Sequence, residues 1–165
     1  MPPTLYILSG LAFSGKSTLA KRLAEHVDAE LVSFDPLWVE NESKIPDLKE
    51  GWQFIRELAK EKILSYLQSG RSVVFDDTNP RREHREEFVK LTVQVGAKSL
   101  VVFVDTPISV IRERMKANLK DPQRHDVSEE KFQNNVRQLE SPGEDENYLV
   151  FLPTDSVEDW LKKNF

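Results

Sequence analysis

The chain has 165 residues, a formal net charge of −5 and no cysteine. With 39% hydrophobic and 31% charged residues it reads as one globular domain over residues 1–165, and disulfides and thiolate metal sites are excluded. A nucleic-acid partner is possible but disfavoured by the acidic charge, because such binding rests on neutralising phosphates. No basic leader and no apolar stretch of ~18 residues is present, so we expect a cytoplasmic protein without a membrane partner.

Three continuous apolar runs, at residues 5–8, 73–75 and 100–104, are typical of strands buried on both faces of a parallel sheet. Weaker strand patterns lie at residues 30–34 and 148–152. Helical patterns separate these runs, at residues 16–27, 48–68, 80–95, 107–118, 129–139 and 156–163. The alternation predicts an α/β protein in which helices cover both faces of a five-stranded parallel sheet.

Helix boundaries are predicted from capping residues. Gly70 should end the second helix, and Asn79 should cap the third, with Pro80 at its first position. Thr106 should cap the helix that starts at Pro107. Asp155, three residues before Glu158, predicts a capping box for the last helix.

The strongest motif directly follows the first predicted strand. Gly10-Leu-Ala-Phe-Ser-Gly15-Lys16-Ser17 matches the phosphate-binding pattern G-x-x-x-x-G-K-S. Its glycines allow backbone N–H groups to surround phosphate oxygens, Lys16 should reach the β- and γ-phosphates, and the Ser17 hydroxyl should bind Mg²⁺. The predicted nucleotide-binding residues are Gly10, Leu11, Ala12, Phe13, Ser14, Gly15, Lys16, Ser17 and Thr18.

Carboxylates follow two of the predicted strands. Asp35 ends the second strand and is either a general base for an attacking hydroxyl or a turn aspartate ahead of Pro36. Asp76 and Asp77 follow the third strand, where a carboxylate can lie beside a phosphate-bound Mg²⁺. Asp76 is the first choice as metal ligand and Asp77 the second, with helix capping as the alternative for Asp77.

Arginines in the last third of the chain are candidates for neutralising phosphate charge. They are Arg112, Arg114, Arg124 and Arg137. Arg124 lies in the polar segment 120–126, within a predicted mobile lid at about residues 118–130. The alternative for each of them is an ordinary solvated helix face.

Taken together, residues 10–17, Asp35 and the run Asp76-Asp-Thr-Asn-Pro-Arg-Arg resemble the small P-loop kinases. That group includes phage polynucleotide 5′-kinase, the zeta-toxin and chloramphenicol phosphotransferases, and tRNA-linked kinases. The resemblance covers nearly the whole chain and implies the three-layer P-loop NTPase fold, with strand order 2-3-1-4-5.

The resemblance also implies roles for individual residues. Lys16 and Ser17 would hold ATP and Mg²⁺, Asp35 would activate the hydroxyl, and Arg124 would be the lid arginine. Arg114 would pack on adenine. One departure is Trp38, which stands where polynucleotide kinases carry an arginine that holds a substrate phosphate.

The predicted activity is ATP-dependent transfer of the γ-phosphoryl group to a hydroxyl of a small molecule or nucleic acid. The segment 36–50 holds four acids and two lysines, which favours a neutral or cationic small acceptor. The alternative is a non-catalytic or slowly hydrolysing nucleotide switch that acts on a partner protein.

Overall fold

The computed structural model describes all 165 residues as five β-strands, seven α-helices and a short 3₁₀ turn. The strands are β1 (Thr4–Ser9), β2 (Glu30–Ser33), β3 (Val73–Asp76), β4 (Lys98–Val104) and β5 (Tyr148–Phe151). The helices are α1 (Lys16–His26), α2 (Phe34–Asn41), α3 (Leu48–Gln68), α4 (Arg82–Val95), α5 (Ile108–Lys120), α6 (Glu129–Gln138) and α7 (Val157–Asn164). The 3₁₀ turn is Glu42–Lys44.

The strands form one all-parallel sheet in the order β2-β3-β1-β4-β5. This confirms the predicted fold class and the strand order that the family resemblance implied. From β1 the chain first continues on the side of the sheet that holds β2 and β3, and later on the side that holds β4 and β5. At this change of direction the carboxyl ends of β1 and β3 open onto the same crevice. Ligands of open parallel sheets bind at such a reversal, which directs attention to the loops after these strands.

Alternate side chains of the strands enter cores on opposite faces of the sheet. Leu5, Ile7 and Phe75 pack under α3 and α4, whereas Leu8 and Val74 pack under α1 and α7. Trp160, only 7% exposed, belongs to the second core. Both faces of β1 and β3 are therefore covered, and this fixes the ends of these strands rigidly at the crevice.

A third, smaller core lies between the β1–α1 loop and the two helices near it. Leu11, Ala12 and Phe13 of the loop pack against Ile111 of α5 and Phe132 of α6. The loop after β1 is thus not a free surface turn, and α6 is held against it by the fully buried Phe132 ring.

Three predicted caps are wrong because their side chains are used elsewhere. Asn79 has φ 37° and is fully buried; its amide donates to the Leu8 carbonyl, and α4 begins only at Arg82. Thr106 donates to the Ser14 carbonyl across 2.8 Å, and α5 begins after Pro107. The cap of α7 is Ser156, which accepts from the Asp159 N–H.

The predicted end of the second strand also differs from the structure. β2 stops at Ser33, and Asp35 lies in the first turn of α2, a helix that the sequence pattern did not indicate. Pro36 explains this start, since proline suits the first turn of a helix. Gly70, with φ 81°, follows the end of α3 as predicted. None of the helices has both the length and the apolar character needed to cross a membrane.

Candidate active site

The loop between β1 and α1 has the backbone of an anion-binding loop. Gly10 and Gly15 have φ of 151° and 100°, and a Cβ at Gly10 would lie only 2.8 Å from the Val104 carbonyl oxygen. Glycine is therefore required at position 10 for space as well as for conformation. Phe13 also has a positive φ, 61°, which its packing in the third core stabilises.

Lys16 folds back over this loop. Its side chain is buried, and its ammonium donates to the Leu11 carbonyl across 2.8 Å instead of pairing directly with a carboxylate. Burial lowers the pKa of Lys16, and the nearby Asp76 and Asp77 oppose this shift. A buried ammonium without a directly paired anion is costly in an apolar surrounding, so the loop is arranged to receive a negatively charged ligand.

A second buried group in the loop points to the same ligand. The Ser14 hydroxyl is buried and has no hydrogen-bond partner. Buried polar atoms in native proteins almost always have partners, so such an exception calls for a ligand or solvent contact. With the two glycines, the loop 10–17 and the first turn of α1 thus fit a polyphosphate.

The two adjacent aspartates at the end of β3 are used differently. Asp77 pairs with Arg56 across 2.9 Å and accepts from the Thr78 N–H across 2.7 Å. Asp76 forms no ion pair of this kind; burial raises its pKa, while Lys16 and the Ser17 hydroxyl oppose the rise. Asp76 is therefore the carboxylate left available beside Ser17.

The residues at this position also suit Mg²⁺ in particular. No group of three or more His, Cys, Asp or Glu side chains could hold a metal ion alone. Mg²⁺ in phosphotransfer sites is held by one or two protein oxygens together with phosphate oxygens and waters. The Ser17 hydroxyl and the Asp76 carboxylate supply such oxygens at the edge of one pocket, so they fit a metal that arrives with the nucleotide.

Arg56 of α3 anchors the loop after β3 from behind. Its guanidinium lies 4.7 Å from the ring centroids of both Trp52 and Phe88, and it bonds Asp77 and Asn79. The same loop touches the phosphate loop, because the Thr78 carbonyl accepts from the Gly10 N–H. Arg56 thereby connects the sheet edge that carries Asp76 to the body of α3.

Replacing Arg56 by Met should lower the free energy of unfolding by about 3–5 kcal/mol, because it leaves the buried Asp77 carboxylate without its cation. Urea denaturation would measure the loss. Arg22→Met is the matched control, since Arg22 pairs with two carboxylates on the surface and should change stability by about 0–1 kcal/mol. Equal losses in the two variants would show that the Arg56 network does not stabilise this edge.

A cleft of about 730 Å³ extends from the phosphate loop along the carboxyl edge of the sheet. Of the predicted site residues it is lined by Phe13, Ser14, Gly15, Lys16, Ser17, Thr18, Asp35, Arg114 and Arg124. Gly10, Leu11 and Ala12 form the loop beneath, and Asp76 lines the adjoining pocket instead. The structure thus brings the predicted nucleotide, base and metal residues to one edge of the sheet.

Sequence reasoning missed the far end of this cleft. Phe151, Pro153 and Val157, around the end of β5, line it with apolar groups. The segment follows a predicted strand, so the rule that ligands bind beyond the carboxyl ends of strands could have indicated it. An apolar surface in the same cleft as the phosphate loop is suited to a nucleotide base.

The four candidate arginines separate into two pairs. Arg114 donates to the Phe13 carbonyl across 2.9 Å, and the Arg124 guanidinium lies 4.3 Å from the centroid of the Phe13 ring. Arg112 instead pairs with Glu129 of α6, and Arg137 bonds Asn134 on its own helix. Only Arg114 and Arg124 border the cleft, so Arg112 and Arg137 follow the solvated-face alternative.

The backbone of Arg124 is held by Asn118, a residue that sequence reasoning passed over. The Asn118 carboxamide oxygen accepts from the Gln123 and Arg124 N–H groups across 3.0 and 3.2 Å. Its amide group donates to the Arg124 carbonyl across 3.1 Å. Because Asn118 is only 7% exposed, the segment between α5 and α6 is fixed at Arg124 even though its side chains are solvated.

For the phosphoryl transfer that the sequence motifs predict, Asn118→Ala should lower the rate about 10-fold, because misplacing a charged group by a fraction of an ångström weakens its action on the reacting phosphate. Asn118→Asp keeps the acceptor and should recover part of the rate. Steady-state kinetics on the single variants and on Asn118→Ala/Arg124→Ala would test this. If the two losses add in the double variant, Asn118 does not act through Arg124.

A second, smaller pocket of about 110 Å³ adjoins the cleft. The two share Lys16, Ser17, Asp35 and Arg124. The smaller pocket is otherwise walled by Asp76, Asp77 and Thr78 on the sheet side, by Val127, Lys131 and Asn135 on the α6 side, and by Ala12 and Phe34. A group in the smaller pocket would therefore face the phosphate end of a nucleotide in the larger cleft.

The acidic residues of the segment 36–50 lie away from this junction. Glu40, Glu42, Asp47 and Glu50 line neither the cleft nor the smaller pocket. Asp47 caps α3 by accepting from the Lys49 and Glu50 N–H groups. Their influence on an acceptor is therefore limited to a screened, long-range field.

Comparison with known proteins gives one family and several relatives. Residues 5–142 match the family model described as an AAA domain. An L-seryl-tRNA(Sec) kinase of Methanococcus maripaludis is 26% identical over 160 residues, which cover 93% of this chain and 58% of the relative. This chain thus spans little more than half the length of that kinase.

Solved structures show the same fold at low sequence identity. A putative kinase from Chloroflexus aurantiacus has a TM-score of 0.80 and 16% identity, over 99% of this chain and 97% of the other. Chaetomium thermophilum Kti12 in complex with ADP-AlF3 has a TM-score of 0.80 and 17% identity, over 96% of each chain. Mycobacterium tuberculosis APS kinase in complex with AMPPNP and APS has a TM-score of 0.71 and 16% identity, over 98% and 95%.

Proposed function

The chain belongs to the AAA-domain family that its residues 5–142 match, and we propose that it is an ATP-dependent kinase that phosphorylates an alcohol. The family match and the kinase relatives confirm the resemblance to P-loop kinases that the sequence motifs indicated. At a general level these relatives support a phosphotransferase. The acceptor, the metal and the site roles below belong to the proposal, as does a cytoplasmic location.

One observation carries the proposal: the junction between the cleft and the smaller pocket. Lys16, Ser17, Asp35 and Arg124 border both spaces. A nucleotide with its phosphates on the loop 10–17 would present its γ-phosphoryl group at this junction. An acceptor in the smaller pocket would then lie between Asp35 and that phosphorus atom, which is the arrangement needed for in-line transfer.

In the proposed reaction the acceptor oxygen forms a bond to the γ-phosphorus, and the bond from this phosphorus to the β–γ bridging oxygen breaks. ADP is the leaving group. The hydroxyl proton passes to the Asp35 carboxylate, whose side chain is exposed to the junction and has no partner within the protein. The bound Mg²⁺ would neutralise phosphate charge.

Two cationic side chains of the protein would stabilise the phosphoryl group during its transfer. Lys16 would leave the Leu11 carbonyl, its present partner, for phosphate oxygens. Arg124 would turn from the Phe13 ring to the γ-phosphoryl group, since the two spaces it borders meet there. Both cations stabilise charge that spreads over the equatorial oxygens in the transition state. The proposed lid, residues 118–130, would also exclude water from the transferring group, with its backbone at Arg124 held by Asn118.

A transfer screen with γ-labelled ATP tests the function. Nucleosides, oligonucleotides ending in a 5′-hydroxyl, aminoglycosides, polyols and sugar acids serve as acceptors. We expect label in an organic phosphate ester, at a rate that depends on Asp35. Label that appears only as inorganic phosphate, equally fast in the parent and in Asp35→Asn, would favour the nucleotide switch instead.

A further inference from the structure

The α6 wall of the smaller pocket is formed by Val127, Lys131 and Asn135. Val127 packs against the third core, whereas the Lys131 and Asn135 side chains have no role in holding the nucleotide or the protein fold. Lys131 and Asn135 are four residues apart and so share one face of α6. Neither side chain makes a hydrogen bond or an ion pair within the protein, whereas their neighbour Glu129 is paired with Arg112. Both polar groups are thus free for a ligand.

The wall is rigid because α6 is fixed on three sides. Phe132, beside Lys131, is fully buried against the phosphate loop. Arg112 of α5 pairs with Glu129 and lies 5.2 Å from the centroid of the Phe132 ring. Ser128 caps the helix by accepting from the Lys131 N–H. Lys131 and Asn135 are therefore presented to the pocket by packed structure and not by a loose lid.

The charge around the pocket is divided between its two walls. On the sheet side, Asp77 is neutralised by Arg56, and Asp76 lies beside Lys16 and Ser17. On the other side, Lys131 and Arg124 line the pocket together with Asp35. Two cations and one ionised carboxylate leave this side of the pocket net positive, and this favours an anion bound next to the reacting hydroxyl.

The size of the pocket limits what can enter. Its volume is about 110 Å³, against about 730 Å³ for the cleft. The smaller pocket is therefore suited to the reacting end of an acceptor, which means a hydroxyl and a group a few bonds away. Lys131 can therefore contact a substituent of the acceptor that is close to the reacting hydroxyl, but not a distant part of a large substrate.

We propose that the acceptor carries an anionic group, a carboxylate or a phosphate, a few bonds from the hydroxyl that is phosphorylated, and that Lys131 and Asn135 bind this group. The inference rests on the proposed kinase function and adds a substrate class and two specificity residues to it. It also differs from the neutral or cationic acceptor that the acidic segment 36–50 suggested.

Matched pairs of acceptors test the proposal by two measurements. The pairs are a polyol and its sugar acid, such as glucitol and gluconate, and a polyol and its phosphate, such as glycerol and glycerol 3-phosphate. Calorimetric titration of the MgAMPPNP complex measures binding without turnover, and label transfer from ATP measures kcat/KM. The two kinds of pair distinguish a carboxylate from a phosphate.

In the parent protein we expect the anionic member of at least one pair to be preferred about 10- to 100-fold in affinity and in kcat/KM. This factor corresponds to one or two charge-assisted hydrogen bonds. Lys131→Gln should reduce this preference to nearly one and leave the affinity for MgAMPPNP unchanged. Lys131→Arg should keep most of it. Lys116→Gln is the control, because Lys116 is an exposed lysine of α5 outside both pockets.

Equal binding of both members of every pair, or binding of neither, would overturn the proposal. So would a Lys131→Gln variant that loses MgAMPPNP affinity, since Lys131 would then belong to the nucleotide site. Failure of the parent protein to bind MgAMPPNP at all would refute the proposed function itself. An undiminished preference for the anionic member in Lys131→Gln, with label still transferred from ATP, would leave the kinase function intact and remove only the role of Lys131 in binding the anion.

Discussion

Asp35→Asn is expected to lower the rate of phosphoryl transfer about 10²–10⁴-fold, the usual contribution of a positioned general base. Asparagine keeps the size of the side chain but cannot take up the hydroxyl proton. Asp35 lines the wall of the junction and makes no hydrogen bond that holds the fold. We therefore expect MgATP affinity and thermal stability to stay at the parental values, so that the loss appears in kcat.

Glu40→Gln provides the matched control for this change. Glu40 is an exposed carboxylate on the same helix, α2, but it borders neither the cleft nor the smaller pocket. Its substitution should leave the transfer rate within about 2-fold of the parent, as for other surface positions. If both variants transferred phosphate at the parental rate, Asp35 would not be the general base.

Lys16→Ala is expected to weaken MgATP binding about 10- to 100-fold, which corresponds to one or two charge-assisted hydrogen bonds to phosphate. The rate of transfer at saturating ATP should fall a further factor of about 10²–10³, because the ammonium also stabilises charge that develops in the transition state. Calorimetric titration and single-turnover kinetics measure the two effects separately.

Loss of folding can be separated from loss of binding in this variant. Lys16 is a buried cation without a directly paired carboxylate, so its removal should not destabilise the protein in the absence of nucleotide. Thermal unfolding without ATP should accordingly show no decrease in Tm. Lys62→Ala, which removes an exposed lysine of α3, is the control and should bind MgATP as the parent does. Parental affinity in Lys16→Ala would exclude the loop as the phosphate site.

The phosphate loop could be predicted from sequence because its chemistry is local. Two glycines, a lysine and a hydroxyl at fixed spacing between a strand and a helix already specify the backbone that the structure shows. The sheet could be predicted for a similar reason, since uninterrupted apolar runs identify strands buried on both faces. The strand order came only from the family resemblance.

Positions that depend on contacts distant in sequence were predicted less well. Asn79 has the residue type of a helix cap, but it donates to the Leu8 carbonyl 71 residues away and is fully buried. Thr106 likewise bonds Ser14 across 92 residues. Local propensity gave the wrong role in both cases because a tertiary partner used the same polar group.

The arginines show the same limit on a functional question. Sequence reasoning named both Arg112 and Arg124 as candidates for neutralising phosphate charge and favoured Arg124 because of its polar segment 120–126. Only the structure shows that Glu129 holds Arg112 away from the cleft while Asn118 holds the backbone of Arg124 beside it. Asn118 and Lys131 carry no motif of their own, and their importance follows from the position of α6, which the burial of Phe132 fixes.

A crystal structure of the protein with MgAMPPNP would locate every group of the proposed site at once. We expect the β- and γ-phosphates within the loop 10–17, the metal against Ser17 and Asp76, and the base near Phe151 and Val157. The γ-phosphoryl group should face the Asp35 carboxylate across the mouth of the smaller pocket. A nucleotide bound elsewhere, or a γ-phosphoryl group turned away from Asp35 into solvent, would contradict the proposed site.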